Sequence, residues 1–594
     1  MPVQKLNASQ VLEWRRYSPY SLNANTAAAN GVGAANGANG ANGVVIITTR
    51  KGHSDRFSVN YAYNLAVKNM YNPFDLADAQ DQVKFEMKQW EDGGKIGTAP
   101  YTQEQLDSYK GPGTDWFKEV GQTGLTQTHA VTMQGGTEKV LAAATINYLD
   151  NKGTLPGSSF NRLNSRVNVD FKPVNWLKAG LNANVVSSKQ LSMPMNTNTA
   201  DKNILYQLFV LSPLSKNDES GVNWMGKSEK RVGIMDFISN NDNQSNSRQA
   251  TVSAYAEATI AKKLSIRGQY SYNLANDQMQ VYYNRGTVTG GGKNGVASSI
   301  AEFTHYQQTD GLLTYHDNFA GKHDLKVIAG TSFRTNLYEY MEMDASNFST
   351  DAFRYYNMGA ANVVDGIATA REDKTNLSFF GRIEYILLDR YIFNASFRAD
   401  GASNFGKNKK WGYFPGVSAA WQLGDEHWMN WAKPVLSSFK IRASWGQTGN
   451  DGIGNYLSLK TFATGKAYVG LENIATALYL NNPGNTDLQW ETTTQTDVGF
   501  DASLWKGKVE LTFDWYKKST TNLLNPVLIS LANLGIGSTT GNNGQVSNQG
   551  VELFLKWHVI DRKIFNWDTN LAFSYNKSRI DSINQEQYIN IRPQ

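Results

Sequence analysis

The sequence predicts an all-β protein that forms a large antiparallel transmembrane β-barrel. Three observations carry this prediction. Roughly 15 to 17 segments, each about 8 to 11 residues long, alternate apolar and polar side chains. Aromatic residues gather at the ends of these segments. The connections between them alternate between very short and very long, which is typical of barrels with tight periplasmic turns and long outer loops.

Composition narrows the class of protein further. The chain has 594 residues, of which 12% are aromatic and 18% are charged, and its net charge is only +5. So many aromatic residues with so little net charge argue against a disordered chain. The weak charge gives no indication of a nucleic-acid partner. The absence of cysteine excludes thiol catalysis, cysteine-ligated zinc and disulfide frameworks.

Membrane-crossing helices are also excluded, because no run of about 18 apolar residues occurs. The mean hydropathy of −0.47 agrees, but barrel strands look polar on average and so remain possible. No apolar signal region follows Met1.

The first fifty residues differ from the rest. Residues 24–43 are an Ala/Asn/Gly tract that cannot pack a core. Val44–Thr49 has the pattern of a short buried strand and ends in Arg50-Lys51-Gly52.

From Arg56 onward a period of two dominates. Phe57, Val59, Tyr61, Tyr63 and Leu65 fall on one face of a strand. The pattern returns at 177–185, 264–272, 391–397, 509–515 and 567–575. One apolar face fits either a sandwich, which buries it in a core, or a barrel, which turns it to lipid.

Length, aromatic residues and connections favour the barrel. Many segments exceed the usual five or six residues of soluble strands. Tight turns are predicted at Asn175 and Lys262-Lys263, and long polar loops at 187–249, 275–308, 334–375 and 446–494. The aromatic residues predicted to form interfacial girdles are Trp176, Tyr270, Tyr272, Trp421, Trp445, Trp515, Trp557 and Trp567.

Residues 74–110 interrupt the rhythm of strands. Phe74–Ala79 and Gln80–Trp90 have a helical pattern, and 102–109 predicts a further short helix. This insertion is either a binding element or an ordinary surface loop.

No arrangement of residues predicts catalysis, a cofactor or a metal site. The seven histidines are scattered and none belongs to a metal-binding spacing. The carboxylates form no recognisable dyad, and basic residues on the polar strand faces are expected to pair with them. These basic residues are Arg166, Lys178, Arg267, Arg398, Lys440 and Arg442. The protein is therefore predicted not to be an enzyme.

Aromatic residues in the predicted long loops are candidates for binding sugar rings or peptides, because flat rings are good contact surfaces. Girdle membership or packing between loops is the alternative role for each. The candidates are Tyr282, Tyr283, Tyr338, Tyr340, Trp411, Tyr413 and Tyr456, and Tyr355 and Tyr356 share the pattern.

Several motifs resemble SusC/RagA-type TonB-dependent outer-membrane transporters of the Bacteroidetes. The stretches that carry the resemblance are ANGVVIITTRKG at 41–52, RADGASNFG at 398–406, WGYFP at 411–415, KIRASWGQTGN at 440–450, LQWET at 488–492 and NQGVE at 548–552. The matching residues, all taken as structural, are Asn42, Gly43, Gly52, Arg398, Asp400, Gly401, Phe405, Gly406, Gly446, Gly449, Asn450, Trp490, Glu491 and Gly550. Asp400-Gly401 is expected to form a turn with a positive φ, and Asn548–Gly550 is expected to open the next strand in the same way.

The resemblance implies a barrel of about 22 strands around an N-terminal plug. It also implies import driven by the TonB–ExbB–ExbD complex, without chemistry on the cargo or a cofactor. The implied partners are a SusD-like surface lipoprotein that closes the outer mouth, outer-membrane lipid, and oligosaccharide or peptide cargo. The resemblance further implies that two transporter–lid pairs can associate as a dimer.

The resemblance also predicts that the chain contains two domains. Residues 1–52 are expected to be the C-terminal remnant of a plug domain, and 53–594 the β-barrel. The signal, the TonB box, most of the plug and about five C-terminal strands are missing from the expected pattern, so the chain resembles an incomplete copy.

Two other functions remain open at this stage. A passive outer-membrane porin would need no plug, and Val44–Gly52 argues against it. A secreted all-β adhesin or glycan-binding protein would need shorter strands and no aromatic girdles.

Overall fold

A computed structural model describes Gly52 and residues 56–108, 111–193, 203–214, 238, 241–469, 473–528, 538–562 and 564–582. Asn42, Gly43 and the predicted strand Val44–Thr49 lie outside the described residues, and so does most of the predicted plug remnant.

In the described part of the chain, seventeen antiparallel strands form one sheet. In chain order these strands are β1 (Ser58–Lys68), β2 (Gly124–Gly136), β3 (Val140–Lys152), β4 (Ser159–Val174), β5 (Leu177–Leu191), β6 (Asn241–Ala261), β7 (Leu264–Tyr283), β8 (Val296–Phe319), β9 (His323–Phe348), β10 (Ala361–Leu387), β11 (Tyr391–Ala402), β12 (Trp411–Trp421), β13 (Leu436–Asn450), β16 (Glu491–Leu504), β17 (Val509–Thr521), β20 (Gln545–Asp561) and β21 (Asn566–Ser582). Two separate hairpins are β14 (Thr461–Val469) with β15 (Asn473–Asn482), and β18 (Leu524–Leu528) with β19 (Ser538–Asn542).

Each strand of the large sheet pairs with its neighbours in chain order, from β1 and β2 to β20 and β21. Within the described residues, β1 pairs only with β2 and β21 only with β20. The prediction of an all-β protein built on a large antiparallel sheet is confirmed, and the number of strands lies at the top of the predicted range.

The two ends of the sheet differ in their connections. Seven of the turns at one end are tight, and Asn175 and Lys262-Lys263 lie in such turns as predicted. Leu388 and Asp389 adopt positive φ in the three-residue turn after β10, and Trp505 and Lys506 do so in the four-residue turn after β16. The connections at the opposite end, here called the mouth end, are mostly long. In bacterial barrels the short turns face the periplasm, so the mouth end faces outward.

Strands β6–β10 are much longer than the others. They contain 20 to 27 residues, whereas about 9 to 11 tilted residues suffice to cross a bilayer. They therefore project beyond the membrane at the mouth end. The prediction of long loops at 275–308 and 334–375 was wrong, because most of these residues belong to β7–β10. In the projecting part the outer face mixes apolar side chains such as Met341 and Ile367 with polar ones, so the apolar alternation that marks a strand is weak.

Five helices lie in the described parts of the mouth-end connections. They are α1 (Ala79–Asp92), α2 (Gln103–Ser108), α3 (Trp116–Val120), α4 (Ile204–Val210) and α5 (Val288–Gly291). Short 3-10 helices span Arg354–Ala360, Leu423–Asp425 and His427–Ala432. None of the helices in the described part of the chain has the length and apolar composition needed to cross a membrane.

The predicted helical insertion after β1 is confirmed, although its first helix begins later than expected. Asp78 caps α1 by accepting a hydrogen bond from the amide of Asp81, and Phe74–Ala77 is not helical. The insertion packs against the connection after β5, where Trp116 donates from its indole N–H to the carbonyl of Ser212 at 3.0 Å. A buried apolar cluster that includes Trp116, Leu155 and Ile204 joins the same elements.

Candidate functional site

The large sheet has two chemically different faces. On β11, Phe393 and Phe397 are about half exposed, whereas the alternate residues Arg398 and Asp400 are buried. The face with exposed apolar side chains is called the outer face, and the opposite one the inner face. Because exposed apolar rows are costly in water, the outer face is suited to lipid.

The motif residues near the mouth end converge on one buried group. This group, called the mouth cluster, consists of Ala402, Phe405, Phe414, Leu488 and Trp490. The rings of Phe405 and Phe414 lie 5.0 Å and 5.6 Å from that of Trp490. The indole N–H of Trp490 also donates to the carbonyl of Lys410 at 2.9 Å. The cluster therefore binds the 403–410 connection to the start of β16.

Three glycines make this packing possible. A Cβ on Gly406 would lie 1.8 Å from the carbonyl oxygen of Thr486, and one on Gly449 would lie 2.2 Å from the Phe414 ring. A Cβ on Gly412 would lie 2.5 Å from the same Phe414 ring. Close approach of neighbouring atoms therefore explains glycine at these positions.

The predicted turns at Gly401 and Gly550 were wrong. Gly401 lies within β11 and Gly550 within β20, and neither has a positive φ. A Cβ on Gly401 would lie 3.1 Å from the Trp411 ring, and one on Gly550 would lie 2.4 Å from the carbonyl oxygen of Tyr575. Both glycines leave room for an atom of a neighbouring residue.

The remaining motif residues have similar structural surroundings. Gly446 faces Gly416 across the strand pair. The Asn450 side chain donates to Glu491 at 3.3 Å, and Glu491 also accepts from the amide of Leu524. Gly52 is buried, and a Cβ there would lie 2.5 Å from the backbone nitrogen of Ala142.

Ion pairs occupy the inner face, as predicted for several of the basic residues. Arg398 donates from Nε to both oxygens of Asp400, at 2.8 Å and 2.9 Å. Arg442 lies among three aspartates, Asp497, Asp501 and Asp514. Lys440 pairs with Asp501 at 2.9 Å. Arg267 lies 3.6 Å from Glu257, so four of the six basic residues have the expected kind of partner.

The Arg442 group borders a polar recess of about 180 Å³ on the inner face. Lys440, Arg442 and Asp497 contribute charged groups to its lining, together with Glu384 and Asn394. Gly499 lies beside the ion pairs, and a Cβ there would be 2.4 Å from Asp514 Oδ1. A side chain at this position would therefore displace the aspartate.

The first part of the β13–β16 connection is held against β10. This part, residues 451–457, is called the tethered segment. Asp451 and Lys374 form an ion pair at 2.9 Å, with side chains only 6% and 19% exposed. Asn376 donates to the same carboxylate, and Asn404 donates to the backbone carbonyl of Asp451.

Tyr456 and Asn455 extend these contacts along β10. The Tyr456 hydroxyl donates to the Asp373 carboxylate at 2.8 Å and accepts from the Asp373 amide at 2.9 Å. Asn455 donates to Glu372 at 3.0 Å. Ile453 and Leu457 also pack against the mouth cluster. The tethered segment therefore has both polar and apolar anchors.

Replacing Asp451 by alanine is expected to release the tethered segment, because Lys374 would keep a largely buried charge without its partner. We expect limited proteolysis in outer-membrane vesicles to cut within 451–490 about ten times faster, since local opening controls cleavage. Lys293→Met is the control, because it breaks a more exposed pair with Asp365 and leaves this segment untouched. Equal cleavage rates in the wild type and Asp451→Ala would contradict the role of this pair.

The seven candidate aromatic residues do not form one site. Tyr282, Tyr283, Tyr338, Tyr340, Trp411 and Tyr413 lie on strands rather than in loops, and Tyr456 belongs to the tethered segment. Trp411 and Tyr413 are exposed on the outer face and stack on Phe379 and Phe397. Their positions are those of girdle residues.

Tyr282 is only 1% exposed, so it has no surface to offer a cargo molecule. Its ring packs edge-on against Phe348, and its hydroxyl donates to Asp351 at 2.7 Å. Tyr355 belongs to the same buried cluster, whereas Tyr356 is exposed. Tyr282 and Tyr355 therefore have a structural role, because both rings are buried in a local apolar core.

Tyr338 and Tyr340 lie on the inner face of the projecting strands. Tyr338 donates to Glu302 at 2.7 Å, and Tyr340 donates to Glu342 at 2.5 Å. Glu372 lies opposite Tyr338 across the β9–β10 pair. Within the described residues, none of these three glutamates forms an ion pair.

These carboxylates are functional candidates that sequence reasoning missed. Glu302, Glu342 and Glu372 fall in stretches that the sequence analysis assigned to loops, so their common face was invisible. The signal that could have revealed it was a partial alternation over 337–344, in which two tyrosines and Glu342 fall on one face and a leucine and two methionines fall on the other.

The three histidines that lie closest together in the sequence have separate partners. His305 bonds to Tyr272, His316 to Asp324 and His323 to Tyr385. Among the described residues, no group of three histidine, cysteine, aspartate or glutamate side chains could hold a metal ion.

Comparison with known proteins agrees with the resemblance seen in the motifs. "TonB-dependent receptor P39" of Formosa agariphila is 26% identical over 592 residues, which cover 98% of this chain and 54% of that protein. "TonB-dependent receptor SusC" of Bacteroides thetaiotaomicron is 25% identical, over 94% of this chain and 56% of its own length. The chain thus spans about half the length of the curated relatives it matches.

Solved structures show the same fold. The RagAB peptide importer in its open-open state matches with a TM-score of 0.81 and 21% identity, over 93% of this chain and 63% of that one. The structure of the RagAB peptide transporter matches with a TM-score of 0.79, also at 21% identity. The predicted SusC/RagA-type resemblance is confirmed.

A family model described as "TonB dependent receptor-like, beta-barrel" matches residues 194–593, which is more than half of the chain. This family consists of receptors and transporters rather than enzymes. The chain therefore belongs to the TonB dependent receptor-like, beta-barrel family, whose members are outer-membrane proteins of Gram-negative bacteria.

Proposed function

We propose that the whole protein imports oligosaccharides or peptides across the outer membrane by TonB-dependent transport. The observation that carries this proposal is the sheet's chemical division: its outer face suits lipid, and its inner face carries charged and tyrosine side chains. Glutamates beside tyrosines at the mouth end, which have no cationic partner among the described residues, favour contact with a polar cargo over a purely structural role.

The proposed partners follow from the family and its named relatives. A SusD-like surface lipoprotein would cover the mouth end, and the TonB–ExbB–ExbD complex would supply energy from the inner membrane. We assign residues 1–52 to the end of a plug domain, and 53–594 to the barrel. The burial of Gly52 against the β2–β3 pair supports a close junction between these parts.

Uptake by whole cells tests this function. Cells that express the protein would receive fluorescein-labelled hexasaccharides or decapeptides, with and without a protonophore. We expect uptake of one of these probes to stop when the protonophore is added and in cells that lack TonB. Uptake that continues at the same rate would indicate a passive porin. Surface binding without uptake would indicate an adhesin.

A further inference from the structure

One edge of the projecting part of β10 is open. β11 ends at Ala402, which pairs with Asn376, whereas β10 continues back to Ala361. Over 361–375 the described strand partner of β10 is β9 alone. The other edge of this stretch therefore has no strand beside it within the described residues.

The contacts at the base of this edge show which backbone groups point toward it. The Thr375 carbonyl accepts from the Ser403 N–H, and the Thr375 N–H donates to the Ser403 side-chain Oγ, each at 3.0 Å. The Asp373 amide donates to Tyr456. Because backbone groups alternate sides along a strand, those of Ile367, Thr369 and Arg371 point to the same edge.

These three residues have no described hydrogen-bond partner on this side. The open stretch is limited at one end by Asp373, where the tethered segment begins to cover the edge. At the other end it is limited by a bulge, where the register shifts between Val364 and Gly366. Ile367, within the stretch, is 69% exposed.

Natural proteins protect exposed strand edges with proline, lysine, bulges or covering loops. The stretch Gly366–Arg371 reads GIATAR and contains neither proline nor lysine. Its flanks carry the bulge and the tethered segment, but no described residue forms a hydrogen bond with the open edge of its centre. Such an edge can accept an added strand by forming main-chain hydrogen bonds.

The inner face beside this edge determines which strand fits. Ala368 and Ala370 are the inner-face residues of the open stretch, and they lie opposite Glu342 and Tyr340 on β9. Because alanine is short, a long side chain on an added strand can cross β10 and reach Glu342. Glu302 lies opposite Tyr340 one strand further on, and Glu372 lies on the inner face of β10 itself.

We propose that this edge binds an extended cargo peptide as an additional antiparallel strand, with lysine or arginine at every second residue. The peptide backbone bonds to Ile367, Thr369 and Arg371, and its basic side chains lie on the inner face beside Glu342 and Glu372. This inference rests on the proposed import function for the identity of the occupant, and it names the cargo class and the site at which the cargo is first held.

Fluorescence anisotropy on the purified whole protein in detergent tests the proposal. The probe is a fluorescein-labelled nonapeptide of alternating lysine and threonine. In an added antiparallel strand with lysine on the inner face, the threonine amides point toward β10. N-methylation of three threonine amides should therefore raise Kd at least about tenfold, whereas N-methylation of three lysine amides should be tolerated. Equal effects, or the reverse order, would overturn the proposal.

Variants of Thr369 give an independent test. Thr369→Pro removes one amide donor, and it leaves the pairing with β9 intact because that amide points to the open edge. We expect it to raise Kd about tenfold, while Thr369→Val, which keeps the amide, should bind as the wild type does. If the Thr369→Pro protein migrates as a folded protein and binds the lysine–threonine peptide with unchanged Kd, this edge is not the binding site.

The charge preference is tested with the corresponding glutamate–threonine nonapeptide. We expect its Kd to be at least about tenfold higher than that of the lysine peptide, since both peptide and inner face would be acidic. Equal affinity would overturn the preference for basic residues. Because anisotropy needs neither TonB nor a proton-motive force, its failure leaves the uptake test standing. Loss of energised uptake alone would contradict only the proposed function.

Discussion

Replacing Gly406 by valine is expected to prevent correct assembly of the mouth end. A Cβ at this position would lie 1.8 Å from the carbonyl oxygen of Thr486. Because that atom belongs to the backbone, the 403–410 connection or the start of β16 would have to move. Phe405, Leu488 and Trp490 would then lose their mutual packing. We expect the variant to lose the heat-modifiable migration of a folded outer-membrane barrel and to be degraded in cells.

Gly268→Val is the matched control, because no atom lies within 4 Å of a Cβ built on Gly268. It lies in β7 and should migrate like the wild type. Gly406→Val protein that reaches the outer membrane in wild-type amounts would contradict the packing described for the mouth cluster.

Replacing Arg442 by methionine is expected to lower the free energy of unfolding by about 3–5 kcal/mol, the range for breaking a buried ion pair. The Arg442 side chain is 10% exposed and lies among Asp497, Asp501 and Asp514. Without the guanidinium, these carboxylates would repel one another in a poorly solvated part of the inner face. Urea unfolding followed by tryptophan fluorescence in detergent measures the change.

Two companion variants separate charge from packing. Lys440→Met removes a cation that is 31% exposed and bonds to one aspartate, so its effect should be much smaller. Adding Asp497→Asn and Asp514→Asn to Arg442→Met should recover part of the loss, because the remaining repulsion decreases. No recovery in the triple variant would show that Arg442 acts through packing rather than charge.

The alternation of apolar and polar residues was sufficient to predict the strands that cross the membrane. In β11 and β17 every second side chain is apolar, because one face must meet lipid. The projecting parts of β8–β10 obey no such requirement. Water lies on both faces there, so 334–344 mixes polar residues with its apolar ones on the outer face, and this weak pattern was mistaken for that of a loop.

The contacts of the candidate site were only partly predictable, because many of them join residues that are far apart in the sequence. The pairing of Arg398 and Arg442 with aspartates was predictable, because burying a charge without a partner is costly. The tethered segment depends instead on contacts such as Lys374 with Asp451, which are 77 residues apart. Trp490 and Lys410 are separated by 80 residues. No local pattern marks such partners, and glycine at 401 was mistaken for a turn because its true neighbour, the Trp411 ring, lies on another strand.

The proposed import function requires that cargo passes along the inner face of the sheet and not along its outer face. Single cysteines in this cysteine-free chain test it directly. Tyr340→Cys places a thiol on the inner face, and Tyr413→Cys places one on the outer face near the mouth end. Each would be coupled to a maleimide carrying a bulky polyethylene glycol, and energised uptake by whole cells would then be measured. We predict that modification at position 340 abolishes uptake and that modification at position 413 leaves it unchanged. Unchanged uptake after complete modification at position 340 would contradict the account.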